Sequence, residues 1–249
     1  MLKTLGIIQA CCADAQARAR VLRRLGGKTI LERVVRRVTD CTRLDGVIVL
    51  ADPSAESTLV CSHVPADVPV HVARQSDGLA RLIGALDEYP AEAVVLVPGD
   101  APFVDPGLID RMVQAAAAHP ESDYLSYGSH DGRPALLSPV GVYAEWFRTA
   151  ALRRLARRRL SATERSAVAI YIHSHPDKFH PHWIPAPRQI DRDDVRLSVE
   201  QPEDWEHATA ILEALGSEEF DWQRIADLLD HQPDLRTRMA ALNRVHTPR

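Results

Sequence analysis

Short, uninterrupted apolar runs separated by helical patterns are the feature that most constrains the fold of this chain. The runs GVIVLA (Gly46–Ala51) and AVVLV (Ala93–Val97) contain no polar side chain, which is typical of strands buried on both faces of a sheet. Leu5–Gln9 and Val68–Val72 predict two further strands. Helical patterns lie between them, at Thr29–Thr39, from Asp52–Ser54 to about Cys61, at Gly78–Glu88 and at Pro106–Ala118. This order predicts a mainly parallel sheet covered by helices.

The pattern changes after His119. It predicts strands at Asp123–Tyr127, Ala135–Val142 and Val195–Val199, and an extended segment at Lys178–Pro185. Apolar periodicity of the helical kind predicts helices at Trp146–Arg159, Thr163–His175, Glu203–Leu215, Trp222–Asp230 and Asp234–Asn243.

Composition bounds the classes of function. The chain has 249 residues and a formal net charge of -4, so there is no global electrostatic reason to bind nucleic acid. No apolar run approaches the ~20 residues of a membrane helix. The start, MLKTLGIIQA, lacks the pattern of a secretory signal. We therefore expect a cytoplasmic protein that binds neither nucleic acid nor membranes.

The segment ACCADAQARAR, which begins at Ala10, lies between the first strand and the first long helix. Many nucleotide-binding folds place a phosphate-holding loop there, yet this segment has no glycine until Gly26. Two interpretations stay open. Arg18 and Arg20 could hold phosphates through their guanidinium groups, or the alanine-rich segment could fold as helix without a ligand.

Three motifs resemble the sugar cytidylyltransferases, the family of the CMP-sugar synthetases and of related spore-coat polysaccharide proteins. They are IIQA (Ile7–Ala10) with RVLRRLGGKTILERVVRRV (Arg20–Val38), then VVLVPGDAPFVDPGLIDRMV (Val94–Val113), and VRLSVEQPEDWEHATAILEALG (Val195–Gly216). The second and third each place an acidic residue at the end of a predicted strand.

The resemblance implies a three-layer α/β/α sandwich of the nucleotide-diphosphosugar-transferase-like (GT-A) type with a mainly parallel sheet. It also implies a reaction in which a sugar oxygen attacks the α-phosphate of CTP, giving a CMP-sugar and pyrophosphate. Mg²⁺ is the implied cofactor, because it offsets charge at the reacting phosphate and prefers oxygen ligands.

The resemblance assigns residues by position. Asp100 and Arg20 are the implied catalytic residues, and Asp100 with Glu200 the implied metal ligands. The implied nucleotide-binding residues are Gln9, Ala10, Cys11, Asp14, Arg18, Arg20, Arg74 and Asp77. Glu145, in SPVGVYAEWF, and Arg165, in TERSAVAIYI, are implied on the acceptor side.

The chain departs from the family pattern in the loop itself. Cys11 stands where the family has arginine, Asp14 where it has serine, and Ala19 where it has glycine; Arg20 replaces a lysine. Asp14 adds negative charge near the expected phosphates, which opposes their binding. Tyr143 and Ala167 likewise replace an expected aspartate and histidine on the acceptor side. A changed acceptor is therefore as compatible with the sequence as a loss of turnover.

Three functions follow as hypotheses. The chain transfers a cytidylyl group to a sugar for surface polysaccharide; or it binds a nucleotide or a partner without turnover; or it uses another nucleotide, as related molybdopterin and isoprenoid nucleotidyltransferases do. We expect a nucleotidyltransferase-like domain over residues 1–216 and a helical extension over 217–249. The insert at about 123–179 is the expected homodimer contact.

Overall fold

A computed structural model describes residues 1–12, 14–53, 57–75, 77–130, 132–216 and 220–246. Nine strands form two sheets, with bounds β1 Leu2–Gln9, β2 Arg24–Leu25, β3 Lys28–Thr29, β4 Gly46–Ala51, β5 Val70–Val72, β6 Ala91–Pro98, β7 Tyr124–Gly128, β8 Glu145–Arg148 and β9 Pro181–Pro185. The helices are α1 Ala15–Leu22, α2 Ile30–Thr39, α3 Ser57–Cys61, α4 Gly78–Glu88, α5 Pro106–Ala118, α6 Thr149–Ala156, α7 Ala162–Ser166, α8 Val168–His173, α9 Pro202–Leu215, α10 Trp222–Asp230 and α11 Pro233–His246. These bounds refer to the described part of the chain.

A seven-stranded sheet forms the middle layer, in the order β5-β4-β1-β6-β8-β7-β9. Its neighbours pair in parallel except β8, which runs antiparallel to both β6 and β7. One face packs against a core that includes buried residues of α2, α5, α9 and α10, and the other against residues of α4, α6 and α8. The predicted three-layer α/β/α sandwich is confirmed.

Aspartate caps begin several of the helices. The side chains of Asp14, Asp77, Asp105 and Asp221 accept a backbone N–H from the first turn of α1, α4, α5 and α10 respectively. Such a cap satisfies a donor that has no partner within the helix. Because α4 and α5 each follow a parallel strand, their caps fix where the chain turns back across the sheet.

The predicted strand Ala135–Val142 was placed wrongly. Ala135–Val142 contains a 3₁₀ turn at Ala135–Leu137 and no strand. The strand is β8, which lies at the start of the predicted helix Trp146–Arg159; the helix itself is confined to α6. All four residues of EWFR pair with β6, and Trp146 and Phe147 also pair with β7. This tertiary pairing outweighs the helical preference of the segment.

Two further predictions need correction. Thr163–His175 is divided into α7 and α8, because Ala167 adopts a non-helical backbone conformation between them. Val195–Val199 is not a paired strand, since the amides of Leu197 and Ser198 both donate to the carbonyl of Pro139 rather than to a ladder. The predicted helix start at Asp52–Ser54 falls partly outside the described residues, as does the boundary at residue 217.

The other predicted elements match the observed ones to within three residues at their ends. Within the described residues, no helix is both long enough and apolar enough to cross a membrane.

Candidate active site

The carboxyl ends of the central strands β4, β1 and β6 meet at one edge of the sheet. The chain leaves them at Asp52, Ala10 and Gly99. The amide of Gly99 donates to the carbonyl of Gln9 over 3.0 Å, and a Cβ at position 99 would lie 2.6 Å from the same oxygen. Glycine is required here because any side chain would separate Asp100 from the end of β1. In open α/β sheets this edge is where ligands bind.

Helix α1 occupies the position of the expected phosphate loop. The carboxylate of Asp14 accepts the amide of Ala17 over 2.7 Å, and that of Asp52 accepts the amide of Cys12 over 3.1 Å. Two backbone donors of this segment are thus bound to carboxylates of the chain itself. The segment is helical from Ala15 onward, and the predicted nucleotide contacts of Gln9, Ala10, Cys11 and Asp14 stay predictions.

Arg20 and Asp100 form an ion pair across the edge. Nη2 of Arg20 lies 3.6 Å from Oδ2 of Asp100, and about a third of each side chain is exposed. The separation exceeds that of a good hydrogen bond. Nε of Arg20 is buried and has no hydrogen-bond partner within the described part of the chain. The guanidinium therefore keeps donors that could meet phosphate oxygens.

The two adjacent thiols at this edge are neutral at pH 7. Burial is the largest of the causes that raise the pKa of Cys12 to about 11. The charges of Asp52 and Asp100 raise this pKa further, and the charge of Arg18 lowers it. Burial also raises the pKa of Cys11, although Arg81 acts in the opposite direction. Neither is suited to act as a nucleophile. The same effects show that Arg18, Asp52 and Asp100 lie close to the Cys12 thiol.

Asp52 and Arg81 also lie near the adjacent thiols of this edge, and the sequence analysis did not single them out. Asp52 directly follows the buried strand β4, just as Asp100 follows the end of β6. That position was the available signal. Arg81 lies in the first turn of α4, and its Nε donates to the carbonyl of Gln75. Nothing in its sequence position marked it out.

Asp77 and Arg165 come together on the α4 side of the sheet. Oδ1 of Asp77 caps α4 by accepting the amide of Ala80 over 2.8 Å, while Oδ2 lies 3.1 Å from Nε of Arg165. Burial acts to raise the pKa of Asp77, but the Ala80 amide and Arg165 outweigh it and the net shift is downward. A predicted nucleotide-side residue and a predicted acceptor-side residue are thus in direct contact.

Arg74 belongs to neither the Arg20–Asp100 pair nor the Asp77–Arg165 pair. Its side chain is exposed and lines a separate surface cavity of about 460 Å³, together with residues of α3 and β5. A second groove, of about 690 Å³, lies between α5 and α10. It is lined by none of the predicted site residues.

Glu145 lies at the first residue of β8, opposite Leu96 of β6. Its Oε1 accepts a hydrogen bond of 2.6 Å from the hydroxyl of Tyr124. Burial raises the pKa of Glu145 to about 7, against the lowering effect of that hydrogen bond. A carboxyl with a pKa near 7 can exchange a proton at physiological pH.

Glu200 is held in a turn built on a buried ion pair. Asp204 accepts the amides of Glu200 and Gln201 over 3.0 and 2.9 Å and a bidentate pair of bonds from Arg196 over 2.6 and 3.0 Å. The Glu200 carboxylate itself lies 3.7 Å from Nη2 of Arg196 and is 57% exposed. Asp100 thus lies beside Arg20 and Glu200 beside Arg196. That the two carboxylates bind the same metal ion stays a prediction.

The donor set at this edge fits Mg²⁺ in type. Among the described residues, no group of three or more His, Cys, Asp or Glu side chains is arranged to hold a metal ion. Mg²⁺, however, is usually bound by one or two carboxylates together with substrate phosphates. The Asp100 carboxylate is exposed enough to serve, and its oxygens are not closely bonded to Arg20.

A comparison with known families decides the class of protein. A model described as a MobA-like NTP transferase domain matches residues 16–194. The chain belongs to this family.

Individual relatives agree with that assignment. The spore coat polysaccharide biosynthesis protein SpsF of Bacillus subtilis is 26% identical over 242 residues, covering 94% of this chain and 97% of SpsF. A 3-deoxy-manno-octulosonate cytidylyltransferase of Syntrophotalea carbinolica is 29% identical over 114 residues, 46% of this chain and 45% of that enzyme.

Among solved structures, a cytidylyltransferase from Leptospira borgpetersenii has the same fold. It superposes with a TM-score of 0.82 at 20% identity, covering 94% of this chain and 97% of that one. These comparisons confirm the resemblance to the sugar cytidylyltransferases and the nucleotide-diphosphosugar-transferase-like fold predicted from the sequence.

Proposed function

We propose that this NTP transferase family member transfers the cytidylyl group of CTP to a sugar that becomes part of a surface polysaccharide. The observation that carries the proposal is Arg20 facing Asp100 at the carboxyl edge of β6, with a buried Nε that has no hydrogen-bond partner in the described chain. The names of the relatives, SpsF and 3-deoxy-manno-octulosonate cytidylyltransferase, point to the same chemistry.

Arg20 and Arg18 would supply the positive charge for the triphosphate. Arginine binds phosphate oxygens through a planar fork, which compensates in part for the backbone amides of Cys12 and Ala17 that Asp52 and Asp14 occupy. A donor aimed at charge that develops in the transition state contributes a factor of about 10² to 10³ in rate. Arg20 is therefore the first residue on which turnover should depend.

Asp100 and Glu200 would hold Mg²⁺, with the phosphates completing its coordination. When bound, the ion would offset negative charge at the reacting α-phosphate. Glu145 and Arg165 would face the acceptor, and Arg74 and Asp77 the nucleoside. A homodimer formed through residues 123–179 and a cytoplasmic location, where CTP is available, complete the proposal.

A second candidate function is nucleotide or partner binding without turnover. The carboxylates of Asp14 and Asp52 favour it, because they satisfy the loop amides that a triphosphate would need. The use of a different nucleotide on the same fold is the remaining alternative.

Release of pyrophosphate from CTP tests the proposal. The assay contains Mg²⁺ and a panel of acidic and amino sugars, including 3-deoxy-manno-octulosonate, and is repeated with ATP, GTP and UTP. We expect release with CTP and one sugar class that Asp100→Asn reduces at least 100-fold. Thermal stabilisation by CTP without release would favour the binding protein, and release with another nucleotide would favour the third candidate.

A further inference from the structure

Glu145 and Tyr124 form a hydrogen-bonded pair within the sheet. Tyr124 is 1% exposed, and its hydroxyl donates to Oε1 of Glu145 over 2.6 Å. Glu145 is partly exposed. One oxygen of the carboxyl is therefore oriented by a buried partner, and the residue as a whole is partly accessible to solvent.

The position of the pair relates it to the candidate active site. Glu145 is opposite Leu96, two residues before Pro98 at the end of β6, and Asp100 follows two residues beyond. With a rise of about 3.3 Å per residue, the backbone of Glu145 lies within two residue steps of the end of β6. Alternation along β8 places its side chain on the same face as Phe147, which is the face covered by α4.

Aromatic rings adjoin this carboxyl. The ring centroid of Tyr124 lies 4.9 Å from that of Phe147 and 5.6 Å from that of Trp183, and Trp183 lies 5.2 Å from His173. Trp183 is partly exposed. Tyr124 and Phe147 are buried, so Trp183 is the ring of these three that a ligand can reach. A carboxylate near an accessible tryptophan suits a sugar, because sugar hydroxyls donate to the carboxylate and the C–H face of the sugar packs on the ring.

We infer that Glu145 is the general base that accepts the proton of the attacking acceptor hydroxyl, and that Tyr124 is its positioning residue. The inference rests on the proposed function. The acceptor oxygen forms a bond to the α-phosphorus of CTP, and the bond from that phosphorus to the bridging oxygen of pyrophosphate breaks. The bond electrons leave with pyrophosphate, and the hydroxyl proton passes to Glu145 and from there to solvent.

The surroundings of Glu145 define its protonation. Burial raises its pKa to about 7, and the Tyr124 hydroxyl lowers it.

The following charged and titratable side chains on the elements around Glu145 have contacts of their own. On α6, which packs on β8, Arg153 and Arg154 pair with Asp87 and Asp123. On α5, across the sheet, Asp110 binds Thr42 and Arg43, and Arg111 acts on Tyr127. On β9, His182 stacks with His119, and on α8, His173 contacts Trp183.

The test compares E145Q and Y124F with the wild type in the pyrophosphate-release assay with CTP, across pH 5.5 to 9. Glutamine is nearly isosteric and keeps an acceptor for Tyr124, so E145Q should fold; far-UV circular dichroism checks this. We expect kcat to fall by about 100- to 1000-fold in E145Q. E92Q, an exposed position on β6, is the matched control and should retain full activity.

The pH profile separates catalysis from structure. Wild-type kcat should fall below about pH 7, because the base must be ionised. Loss of the Tyr124 hydrogen bond in Y124F should move that acidic limb to higher pH. An unchanged limb in Y124F would overturn the positioning role, and full activity in E145Q would overturn the general base while leaving cytidylyl transfer intact. No release by the wild type with any sugar would overturn the proposed function and this inference with it.

Discussion

Nη2 of Arg20 lies 3.6 Å from Oδ2 of Asp100, which joins helix α1 to the turn that follows β6. The pair is about one-third exposed on both sides, and such pairs contribute about 0 to 1 kcal/mol to stability. Its importance should therefore lie in ligand binding rather than in folding.

Replacing Arg20 tests whether the pair acts in ligand binding rather than in folding. We expect Arg20→Met to lower kcat/KM for CTP by at least 100-fold, because the cation facing the phosphates is lost, and Arg20→Lys to retain part of the activity. Urea unfolding should show a change in stability of less than about 1 kcal/mol. Arg36→Met, at an exposed pair with Asp67, is the matched control. A kcat/KM within twofold of wild type in Arg20→Met would contradict the role.

Replacing Asp14 removes a negative charge from the site, whereas replacing Arg20 removes a positive one. Asp14→Ser keeps an oxygen that caps α1 and removes a negative charge beside the expected phosphates. We expect tighter CTP binding, seen as a severalfold lower Kd by calorimetry, with unchanged stability. Asp14→Ala removes the cap as well and should cost about 1 kcal/mol of stability. Weaker CTP binding by Asp14→Ser would show that the carboxylate assists the ligand.

The Asp77–Arg165 pair should connect the predicted nucleotide side of the site with its predicted acceptor side. Asp77→Asn keeps the cap on α4 through its side-chain oxygen and weakens only the ion pair, so stability should change little. Arg165→Met removes the same contact from the other side. If both residues act through this contact, KM for the sugar should rise in each, and the double variant should be no worse than either single one. Additive effects would mean that they act separately.

The turn that holds Glu200 depends on the buried pair Arg196–Asp204. Burial acts to raise the pKa of Asp204, but Arg196 and the amides of Gln201 and Glu200 outweigh it and hold the pKa below 3.8. The stabilisation is therefore present above about pH 3.8 and is lost as pH falls further. Asp204→Asn should lower the free energy of unfolding by about 3 kcal/mol at pH 7, and by less at pH 3.

Urea unfolding at the two pH values measures this difference. Asp230→Asn, at an exposed pair with Arg192, should change stability little at either pH. An equal loss in Asp204→Asn at pH 7 and pH 3 would show that packing, not charge, holds the turn.

The sequence was sufficient for the parallel core of the fold. AVVLV and the last four residues of GVIVLA are buried on both faces of the sheet, so hydrophobicity alone marks β6 and β4. β8 was missed because its four residues run without a break into α6, and only pairing with β6 and β7 makes them a strand. Val195–Val199 was over-predicted because an extended apolar segment packs well without a ladder.

The candidate site could be predicted only in part. Asp100 was singled out by the resemblance and by its position after a predicted strand, and its role stays a prediction. Asp77 and Arg165, which the resemblance also singled out, are in direct contact. The choice between loop and helix at Ala15–Leu22 depends on Asp14 finding the amide of Ala17. Tyr124 as the partner of Glu145 depends on strand register, which no local pattern encodes. The division into residues 1–216 and 217–249 stays a prediction.

The most direct test of cytidylyl transfer is the fate of the α-phosphate. CTP labelled at the α-phosphorus is incubated with the wild-type protein, Mg²⁺ and the sugar panel, and the products are separated by anion-exchange chromatography. The account predicts that the label moves into a CMP-sugar, with one unlabelled pyrophosphate released for each sugar, and that Arg20→Met abolishes the transfer. Label that stays in CTP with every sugar, at a protein concentration that binds all the nucleotide, would contradict it.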